Sequence, residues 1–318
     1  MRLLAAPDKF RGTLTAREAA AAISAGAEQA GWTAVELPLA DGGEGTLDVL
    51  GGGNRRTLVS GPLGEPVEAA WRLEDDGTAL IEAAQACGLT LAGGPERNDP
   101  LRATSRGVGE LIAAAVADGA TRIVVTVGGV ASTDGGVGAT EAVPHPLHVP
   151  LEVACDVDAR FLDAADVFAP QKGATPEQVP LLRERLEKLV VPDLPGSGAA
   201  GGLAGGLAAI GARLLPGFDL VADRVGLDVR LAEADLVVTG EGLVDATSFT
   251  GKVVGRVLDR AQAAGIEALV VAGDVASGSR IDALSLVARY GPERALAEPA
   301  ECLMELVETA LAAGRNGP

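Results

Sequence analysis

The chain has 318 residues, of which 47% are hydrophobic and only 3% aromatic, enough for about two domains with cores of Ala, Val, Leu and Ile. Its formal net charge of -18 at pH 7 repels nucleic acids and anionic membranes, and predicts neither as a partner. For the same reason, any site for an anionic small molecule needs Lys, Arg and backbone N–H groups close at hand.

The cysteine pattern indicates a reducing compartment. Cys87, Cys155 and Cys302 lack the spacing of a metal site, and three cysteines cannot all pair with one another. We therefore expect a cytoplasmic protein. The first residues reach Asp8 and Lys9 too early for a secretory signal peptide, and no apolar run approaches the roughly 20 residues of a membrane span.

The first elements predict a parallel sheet. Residues 3–6 form an apolar run typical of a buried strand, and residues 33–39 form the next strand. Between them a helix is expected from Thr15 to about Gly31, because Thr15-Ala16-Arg17-Glu18 is a capping box. Strand, helix and strand in this order favour parallel strands covered by helices.

The middle of the chain has a different pattern. Residues 56–60, Pro66–Leu73 and Thr78–Glu82 alternate apolar and polar residues between glycine-containing turns, which predicts an antiparallel meander. After it we expect a helix at 105–118, strands at 122–127 and Leu151–Cys155, and a helix from about 175 to 190. That last helix begins at a second capping box, Thr175-Pro176-Glu177-Gln178.

The last third returns to the alternation of the first residues. Strands are predicted at 235–239, 268–272 and 284–288, and helices at 252–264 and 299–313. The predicted fold class is therefore α/β with two domains. A discontinuous doubly wound (Rossmann- or flavodoxin-like) domain comprises residues 1–55 and 230–318, and a mixed α/β domain of residues 56–229 is inserted into it.

Three of the four lysines lie beside glycines. They are Lys9, Lys172 and Lys252, whereas Lys188 is expected on a surface helix. Lysine is a compact charge that can reach phosphate oxygens, and glycine lets the backbone approach a ligand closely. Because aspartates occur in the same turns, the pattern indicates phosphoryl transfer with a divalent metal.

Five glycine-rich turns carry this pattern. They lie at residues 40–46, 128–136, 170–173, 196–202 and 239–245. A turn between a strand and a helix presents backbone N–H groups to anions. None has the Walker spacing, and no Gly-x-Gly-x-x-Gly opens a helix after the first strand, so a nicotinamide dehydrogenase is not expected. Each turn alone is more often structural than functional, and residues 196–206 are equally explained by a tightly packed helix.

Two histidines and the remaining lysine give no site. His145 and His148 lie in Pro-His-Pro-Leu-His with no carboxylate or cysteine at metal spacing, so a loop is favoured over a metal centre. Lys188, near Arg183 and Arg185, is expected on a solvated helix face.

Taken together and in this order, several segments resemble the bacterial glycerate kinase family, the type without a Walker motif. They are Ala6-Pro7-Asp8-Lys9-Phe10-Arg11-Gly12-Thr13, Pro38-Leu39-Ala40-Asp41-Gly42-Gly43-Glu44-Gly45-Thr46, Asp99-Pro100-Leu101-Arg102-Ala103-Thr104-Ser105-Arg106-Gly107, Ala154-Cys155-Asp156-Val157, Pro170-Gln171-Lys172-Gly173-Ala174-Thr175-Pro176 and Thr239-Gly240-Glu241-Gly242. The resemblance extends over nearly the whole chain.

The resemblance implies ATP- and Mg²⁺-dependent phosphorylation of glycerate, typically at the 2-hydroxyl, to give 2-phosphoglycerate. It also implies a site in the cleft between two α/β domains, with glycerate and ATP as partners of a monomer or homodimer. Two alternatives stay open: a diverged kinase for another small hydroxy acid, and a non-catalytic sensor that binds a nucleotide or an acid.

Roles are assigned to the residues of these turns. We expect Asp156, Asp245 and Lys9 to be catalytic, with Asp156 as the first choice and Asp245 as the second choice for the base that takes the hydroxyl proton. Metal ligation is expected from Asp41, Asp134 and Asp245. Substrate or phosphate binding is expected from Arg11, Asp41, Glu44, Gly128, Gly129, Lys172, Gly198, Gly201, Glu241 and Lys252.

The chain also departs from the family pattern. Val130 stands where Ser is usual, Leu243 where Arg is usual, and Thr247 where Gln is usual. After Gly138 the family usually carries roughly forty residues before the Ala154-Cys155-Asp156 strand, whereas here only Ala139–Pro150 remains, and residues 159–163 replace an Asn-Pro-Leu segment. Losing the Arg removes a bidentate anion donor. These changes fall near the expected substrate site, and they bear on substrate choice and activity rather than on the fold.

Overall fold

A computed structural model describes residues 1–10, 12–249, 252–276 and 282–315. By its contacts the chain divides into two compact units, and both are α/β. Unit 1 contains Met1–Asp41 and Val221–Pro318, and unit 2 contains Gly42–Leu220. The predicted fold class, a discontinuous domain with an insertion, is confirmed. The division by contacts falls earlier in the chain than the predicted boundaries at 55 and 230, which stay predictions.

The elements alternate along most of the chain. The strands are β1 (Arg2–Ala5), β2 (Thr33–Glu36), β3 (Arg55–Ser60), β4 (Pro66–Leu73), β5 (Thr78–Glu82), β6 (Arg122–Thr126), β7 (Leu151–Cys155), β8 (Arg213–Pro216), β9 (Leu236–Val244), β10 (Glu267–Val275) and β11 (Leu284–Ser285). The helices are α1 (Ala16–Gln29), α2 (Thr46–Val49), α3 (Ala84–Cys87), α4 (Arg106–Ala117), α5 (Val137–Ala142), α6 (Ala164–Phe168), α7 (Gln178–Glu187), α8 (Leu203–Ala209), α9 (Gly217–Val225), α10 (Leu227–Leu231), α11 (Val253–Ala264), α12 (Leu286–Tyr290), α13 (Pro292–Ala297) and α14 (Pro299–Arg315).

Unit 1 is built on a five-stranded parallel sheet in the order β11-β10-β9-β1-β2. From β1 the chain winds through α1 to β2 on one side, and from β9 it winds through α11 to β10 on the other. The winding therefore reverses between β1 and β9. On one face α1 and α14 pack together, and their core includes Leu3, Ile23 and Val307.

The start of α1 is as predicted. The Thr15 hydroxyl oxygen accepts a hydrogen bond from the Glu18 N–H at 3.1 Å, and Glu18 Oε2 accepts one from the Thr15 N–H at 2.8 Å. This reciprocal pair is the capping box read from the sequence, and it satisfies two N–H groups that the first helical turn leaves without partners.

Unit 2 is built on a six-stranded mixed sheet in the order β3-β4-β5-β6-β7-β8. The antiparallel meander β3-β4-β5 is confirmed, and β5 to β8 run parallel. Trp71, Ile81 and Leu111 are among the side chains buried in its core. The carboxyl ends of β5, β6 and β7 lie along one edge of the sheet, because these strands are parallel neighbours.

Some predicted elements were wrong in extent or type. Residues 284–288 were expected to be a strand, but only Leu284–Ser285 pair with β10. The Ser285 hydroxyl oxygen accepts the Ala288 N–H at 3.1 Å and starts α12 instead. At the second capping box the Gln178 side chain accepts the Thr175 N–H at 3.0 Å. However, α7 has no side-chain cap and extends from Gln178 to Glu187 rather than from about 175 to 190. Strand β8 was not predicted.

In the part of the chain that the structure describes, no helix has both the length and the apolar composition needed to cross a membrane.

Candidate active site

Where the winding of unit 1 reverses, charged side chains gather at the carboxyl ends of the strands. Asp8 and Lys9 follow β1, and Asp8 donates its N–H to the Gly240 carbonyl at 2.9 Å. Leu3 pairs with Leu236, so the same register continued along both segments brings Asp8 beside Glu241. In doubly wound sheets, ligands bind outside the carboxyl ends of the strands at such a reversal.

The carboxylates of this cluster repel one another. Asp8 is only 7% exposed, and its Oδ1 lies 3.8 Å from Lys9 Nζ. Burial, and then the charges of Asp41 and Glu241, raise the pKa of Asp8 to about 7 although Lys9 opposes the shift. One lysine therefore does not compensate the negative charge, and the cluster favours binding of a cation.

Asp245 and Lys252 lie in the same unit. Asp245 Oδ1 accepts hydrogen bonds from the N–H of Thr247 at 2.7 Å, from its hydroxyl at 2.6 Å, and from the Ser248 N–H at 3.2 Å. The bond from the Thr247 hydroxyl is the largest cause that lowers the pKa of Asp245. Lys252 Nζ donates to the Thr247 hydroxyl at 2.9 Å. Thr247, where the family usually has Gln, therefore links Asp245 to Lys252.

The environment of Glu241 indicates whether this carboxylate cluster can bind a metal ion. Glu241 Oε1 is buried and has no hydrogen-bond partner among the residues described, and burial raises the pKa of Glu241. Carboxylate oxygens are what Mg²⁺ prefers, so Glu241, Asp8 and Asp41 fit the ion. Within the described ranges no three such side chains form a group that could hold a metal ion, so at most two of them can bind one Mg²⁺, with phosphate and water completing its shell.

In unit 2, Glu82 holds the turn that follows Asp41. This side chain ends β5 and is 3% exposed. Its Oε2 accepts the Gly45 N–H at 3.1 Å and the Leu47 N–H at 2.9 Å. Burial is the main cause that raises the pKa of Glu82. The sequence reasoning missed Glu82, although a carboxylate that ends a strand ahead of a helical segment was a signal.

Close backbone contacts then bring this turn to the ends of β6 and β8. A Cβ on Gly42 would lie 2.7 Å from Gly217 Cα, and one on Gly128 would lie 2.7 Å from Gly43 Cα. Only glycine permits these approaches. A Cβ on Gly129 would lie 2.9 Å from Glu44 Oε2, so the structure brings Glu44, Gly128 and Gly129 together.

Asp156 belongs to the same group of residues. Its Oδ1 accepts the Gly217 N–H and its Oδ2 accepts the Phe218 N–H, both at 2.9 Å. The carboxylate therefore lies at the N-terminus of α9, where it accepts hydrogen bonds from N–H groups that have no partner within the helix.

Asp134 was predicted to be a metal ligand, but in the structure its carboxylate accepts hydrogen bonds from the protein. Its Oδ2 accepts the N–H and the hydroxyl of Ser105, both at 2.8 Å. It also accepts the Gly138 N–H at 3.2 Å, and Oδ1 accepts the Gly136 N–H at 3.1 Å. Four donors make this carboxylate a connector between the starts of α4 and α5. Its role as a metal ligand stays a prediction that the geometry favours less.

The glycines at 196–202 lie in tight packing. The Gly198 N–H donates to the Ala159 carbonyl at 2.9 Å, and is therefore not available to a phosphate. A Cβ on Gly201 would lie 2.2 Å from the Ser132 carbonyl oxygen and 2.8 Å from Lys172 Nζ. The packed-helix alternative therefore explains both residues, and phosphate binding there stays a prediction. Arg11 lies outside the described residues.

Lys172 is buried rather than presented to solvent. It is 4% exposed, and its Nζ donates to the Ser132 carbonyl at 2.6 Å. Burial lowers the pKa of Lys172 to about 8. Below that pH the folded protein holds a buried ammonium group that water would solvate better.

Replacing Lys172 with Met is expected to stabilise the protein at pH 7 by about 1–3 kcal/mol, because an apolar group of similar length removes the cost of burying the charge. The folded pKa lies below the unfolded value, so wild-type stability rises as the pH increases from about 8 to 10.5. The advantage of the Met variant should shrink over the same range.

Urea unfolding at pH 7, 8.5 and 10 measures this effect. The control is Lys188→Met, because Lys188 is exposed and pairs with Glu184 one helical turn away. A Met variant less stable than the wild type at pH 7 would show that the ammonium group holds the loop together. Its activity tests the predicted substrate role separately.

The chain matches the profile of the Glycerate kinase family over residues 3–147 and 142–312. It is 36% identical to the Glycerate 2-kinase of Escherichia coli K12 over 80% of each chain. It is 37% identical to the Glycerate kinase of Bacillus subtilis 168, over 88% of this chain and 86% of that one.

A solved structure gives the same result for the fold. The crystal structure of "putative glycerate kinase 2" from Salmonella typhimurium LT2 matches with a TM-score of 0.80 and 32% identity, over 99% of this chain and 98% of the other. An uncharacterized protein of Mycobacterium bovis, Mb2228c, is 42% identical over the whole chain and 93% of its own length.

Proposed function

The chain belongs to the glycerate kinase family, and on that premise we propose that it phosphorylates glycerate with ATP as the phosphoryl donor. The observation that carries the proposal is the cluster of Asp8, Lys9, Asp41 and Glu241 at the winding reversal of unit 1. An ammonium group among carboxylates, one of which has an unpartnered oxygen, matches the needs of a metal-bound nucleotide. The names of the Escherichia coli and Bacillus subtilis relatives support glycerate as the acceptor.

Phosphoryl transfer depends on position and charge rather than on covalent chemistry by the protein. We propose that Mg²⁺ is held by two of the three carboxylates of Asp8, Asp41 and Glu241, with Asp245 close by. Bound there, Mg²⁺ would neutralise charge on the phosphate oxygens. Lys9 and Lys252 are proposed to bind phosphate oxygens, which would also offset the negative charge of the chain.

The amides of unit 2 supply a further anion contact. Neither Gly128 nor Gly129 donates its N–H to any group within the described residues, and both follow a parallel strand. Such amides bind phosphate or a developing negative charge. We propose that they contact the transferred phosphoryl group or the substrate carboxylate, next to Glu44.

The base that takes the hydroxyl proton is proposed to be Asp156, with Asp245 second. The amides of Gly217 and Phe218 orient the Asp156 carboxylate, which supports a positioned proton acceptor. The three hydrogen bonds to Asp245 all reach Oδ1 and leave Oδ2 available. Transfer to the 2-hydroxyl, a cleft between the domains, cytoplasmic location and the oligomeric state stay predictions.

The test is ADP release by the purified protein with Mg-ATP, with and without D-glycerate, followed by identification of the product. Glycerate-dependent ADP together with 2-phosphoglycerate supports the proposal, and 3-phosphoglycerate would correct the hydroxyl. Omitting Mg²⁺ should abolish the reaction. ADP release that does not depend on glycerate contradicts the proposal.

Phosphorylation of a different small hydroxy acid is the second candidate function, and Leu243 favours it. This side chain is 52% exposed two residues before Asp245, where the family usually has Arg. Without that guanidinium, the affinity for a less anionic or longer acceptor falls less than the affinity for glycerate does. The same assay with uncharged glycerol and with the four-carbon acids threonate and erythronate decides, because a kcat/KM above that for D-glycerate would reassign the substrate.

A further inference from the structure

Unit 2 contains a cavity that the proposed function has not used. Its volume is about 340 Å³, which lies in the range of sites for small molecules. The wall is formed by residues 100–104, by part of the segment 133–141, and by Arg185 and Leu189. The first of these segments belongs to a family-like motif to which no role was assigned from the sequence.

Its wall combines apolar side chains with two guanidinium groups. Leu101, Val137 and Leu189 give the apolar part. The Arg185 guanidinium donates to the Leu101 carbonyl at 2.6 Å, which fixes it beside the cavity. Arg102 also lines the cavity, and its guanidinium has no hydrogen bond or ion pair within the described ranges.

An unpaired arginine is informative in this chain. There are 44 Asp and Glu residues against 26 Lys and Arg, so an arginine without a carboxylate beside it is available to an external anion. Of the two acidic residues in the wall, Asp134 already accepts four hydrogen bonds, and Glu141 is exposed. Arg102 is therefore not neutralised by the protein.

A buried hydroxyl group marks the same wall. Thr133 is 1% exposed, and its Oγ1 has no hydrogen-bond partner among the residues described. Buried hydroxyl groups normally have a partner, which a ligand or an ordered water would provide. Thr133 also lies four residues after Gly129, a chain reach of at most about 14 Å, so this wall lies within that distance of the amides proposed to bind the phosphoryl group or the carboxylate.

We propose that this cavity binds the carboxylate end of a short hydroxy acid, and that Arg102 is the residue that selects a carboxylate. The inference deepens the proposed function and rests on it, because it locates the acceptor substrate. A planar guanidinium matches a carboxylate with two parallel hydrogen bonds. The cavity is larger than a three-carbon acid requires, so it also admits longer acids or bridging waters.

The experiment measures KM for D-glycerate, KM for ATP and kcat for the wild type and Arg102→Gln. The matched control is Arg183→Gln, because Arg183 lies on α7 outside the cavity and pairs with Asp166 on the surface. Arg102→Gln should raise KM for glycerate at least tenfold, with KM for ATP and kcat changed less than threefold. Thr133→Val should raise the same KM severalfold without lowering Tm, since its hydroxyl has no partner in the protein.

The outcomes separate this inference from the proposed function. If the wild type is active and Arg102→Gln keeps its KM for glycerate within twofold, the inference is overturned while the kinase proposal stands. If the wild type shows no glycerate-dependent turnover, calorimetric titration with D-glycerate, lactate, tartronate and inorganic phosphate decides. Binding of a hydroxy acid that Arg102→Gln abolishes supports the site, whereas binding of phosphate alone, or of none of these, overturns it.

Discussion

Replacing Asp8 with Asn is expected to lower the rate of glycerate-dependent ADP release by a factor of about 10²–10³ and to raise the stability of the unliganded protein. Both effects have one cause. The Asp8 carboxylate is buried and lies near the charges of Asp41 and Glu241, so its ionised form costs free energy in the folded state. A neutral amide of the same shape removes that cost, together with a charge that the proposed Mg-ATP site needs.

The pH dependence has a definite sign. The pKa of Asp8 is raised from 3.8 to about 7, so the folded state binds a proton that the unfolded state has already released. Wild-type stability should fall as the pH rises from about 4 to 7, by about 2–4 kcal/mol from this group. In the Asp8→Asn variant, this contribution to the fall in stability between pH 4 and 7 should be absent.

Urea unfolding between pH 4 and 8, without Mg²⁺ or nucleotide, measures the stability, and steady-state kinetics measures the rate. Asp228→Asn is the control, because Asp228 is in the same unit and pairs on the surface with Arg260. A variant that keeps the wild-type rate would remove Asp8 from the site. One that loses both activity and stability would make Asp8 a structural residue.

Replacing Asp134 with Ala is expected to destabilise the protein by about 2–4 kcal/mol. The change removes the acceptor of four hydrogen bonds at once. The N–H groups of Ser105, Gly136 and Gly138 then lose their partner at the starts of α4 and α5, and each such loss costs about 1 kcal/mol or more. Asp134→Asn keeps a single carbonyl oxygen as acceptor, and its stability should lie between those of the wild type and the Ala variant.

Chemical unfolding measures this effect, and Asp158→Ala serves as the control, since Asp158 is exposed. The two interpretations of Asp134 make opposite predictions. If the Ala variant is as stable as the wild type but needs far more Mg²⁺ for activity, Asp134 is the metal ligand that the sequence suggested. Loss of stability together with an unchanged Mg²⁺ requirement of the folded fraction supports the connector role.

The fold could be predicted because local patterns agree with it. The meander β3-β4-β5 shows partial alternation between turn residues, and the capping box at Thr15 starts α1. The short apolar run at 284–288 fits a strand or a buried helix equally well. There the deciding contact was the bond from the Ala288 N–H to the Ser285 hydroxyl, which the periodicity does not reveal.

The site could be predicted only as a set of turns. Parallel strands bring their carboxyl ends to one edge, so glycines and carboxylates after strands were sound candidates. Which carboxylates are free to act depends on partners far along the chain. Asp134 bonds to Ser105, 29 residues away, and Asp156 to Gly217, 61 residues away. Asp8 was not assigned a role, because burial and nearby charge set its pKa and neither is visible in a single sequence.

The pairing of β1 with β9 also constrains how the protein is made. Leu3 pairs with Leu236, and all six strands of the other sheet lie between them in the chain. On a ribosome, β1, α1 and β2 are therefore synthesised first, and one edge of β1 stays unpaired until β9 has been added. Unit 2 can complete its sheet during that time, because domains fold as units as they are synthesised. The carboxylates of Asp8 and Glu241 come together only after residue 241 has been added, so the proposed nucleotide site is among the last features of the nascent chain to form.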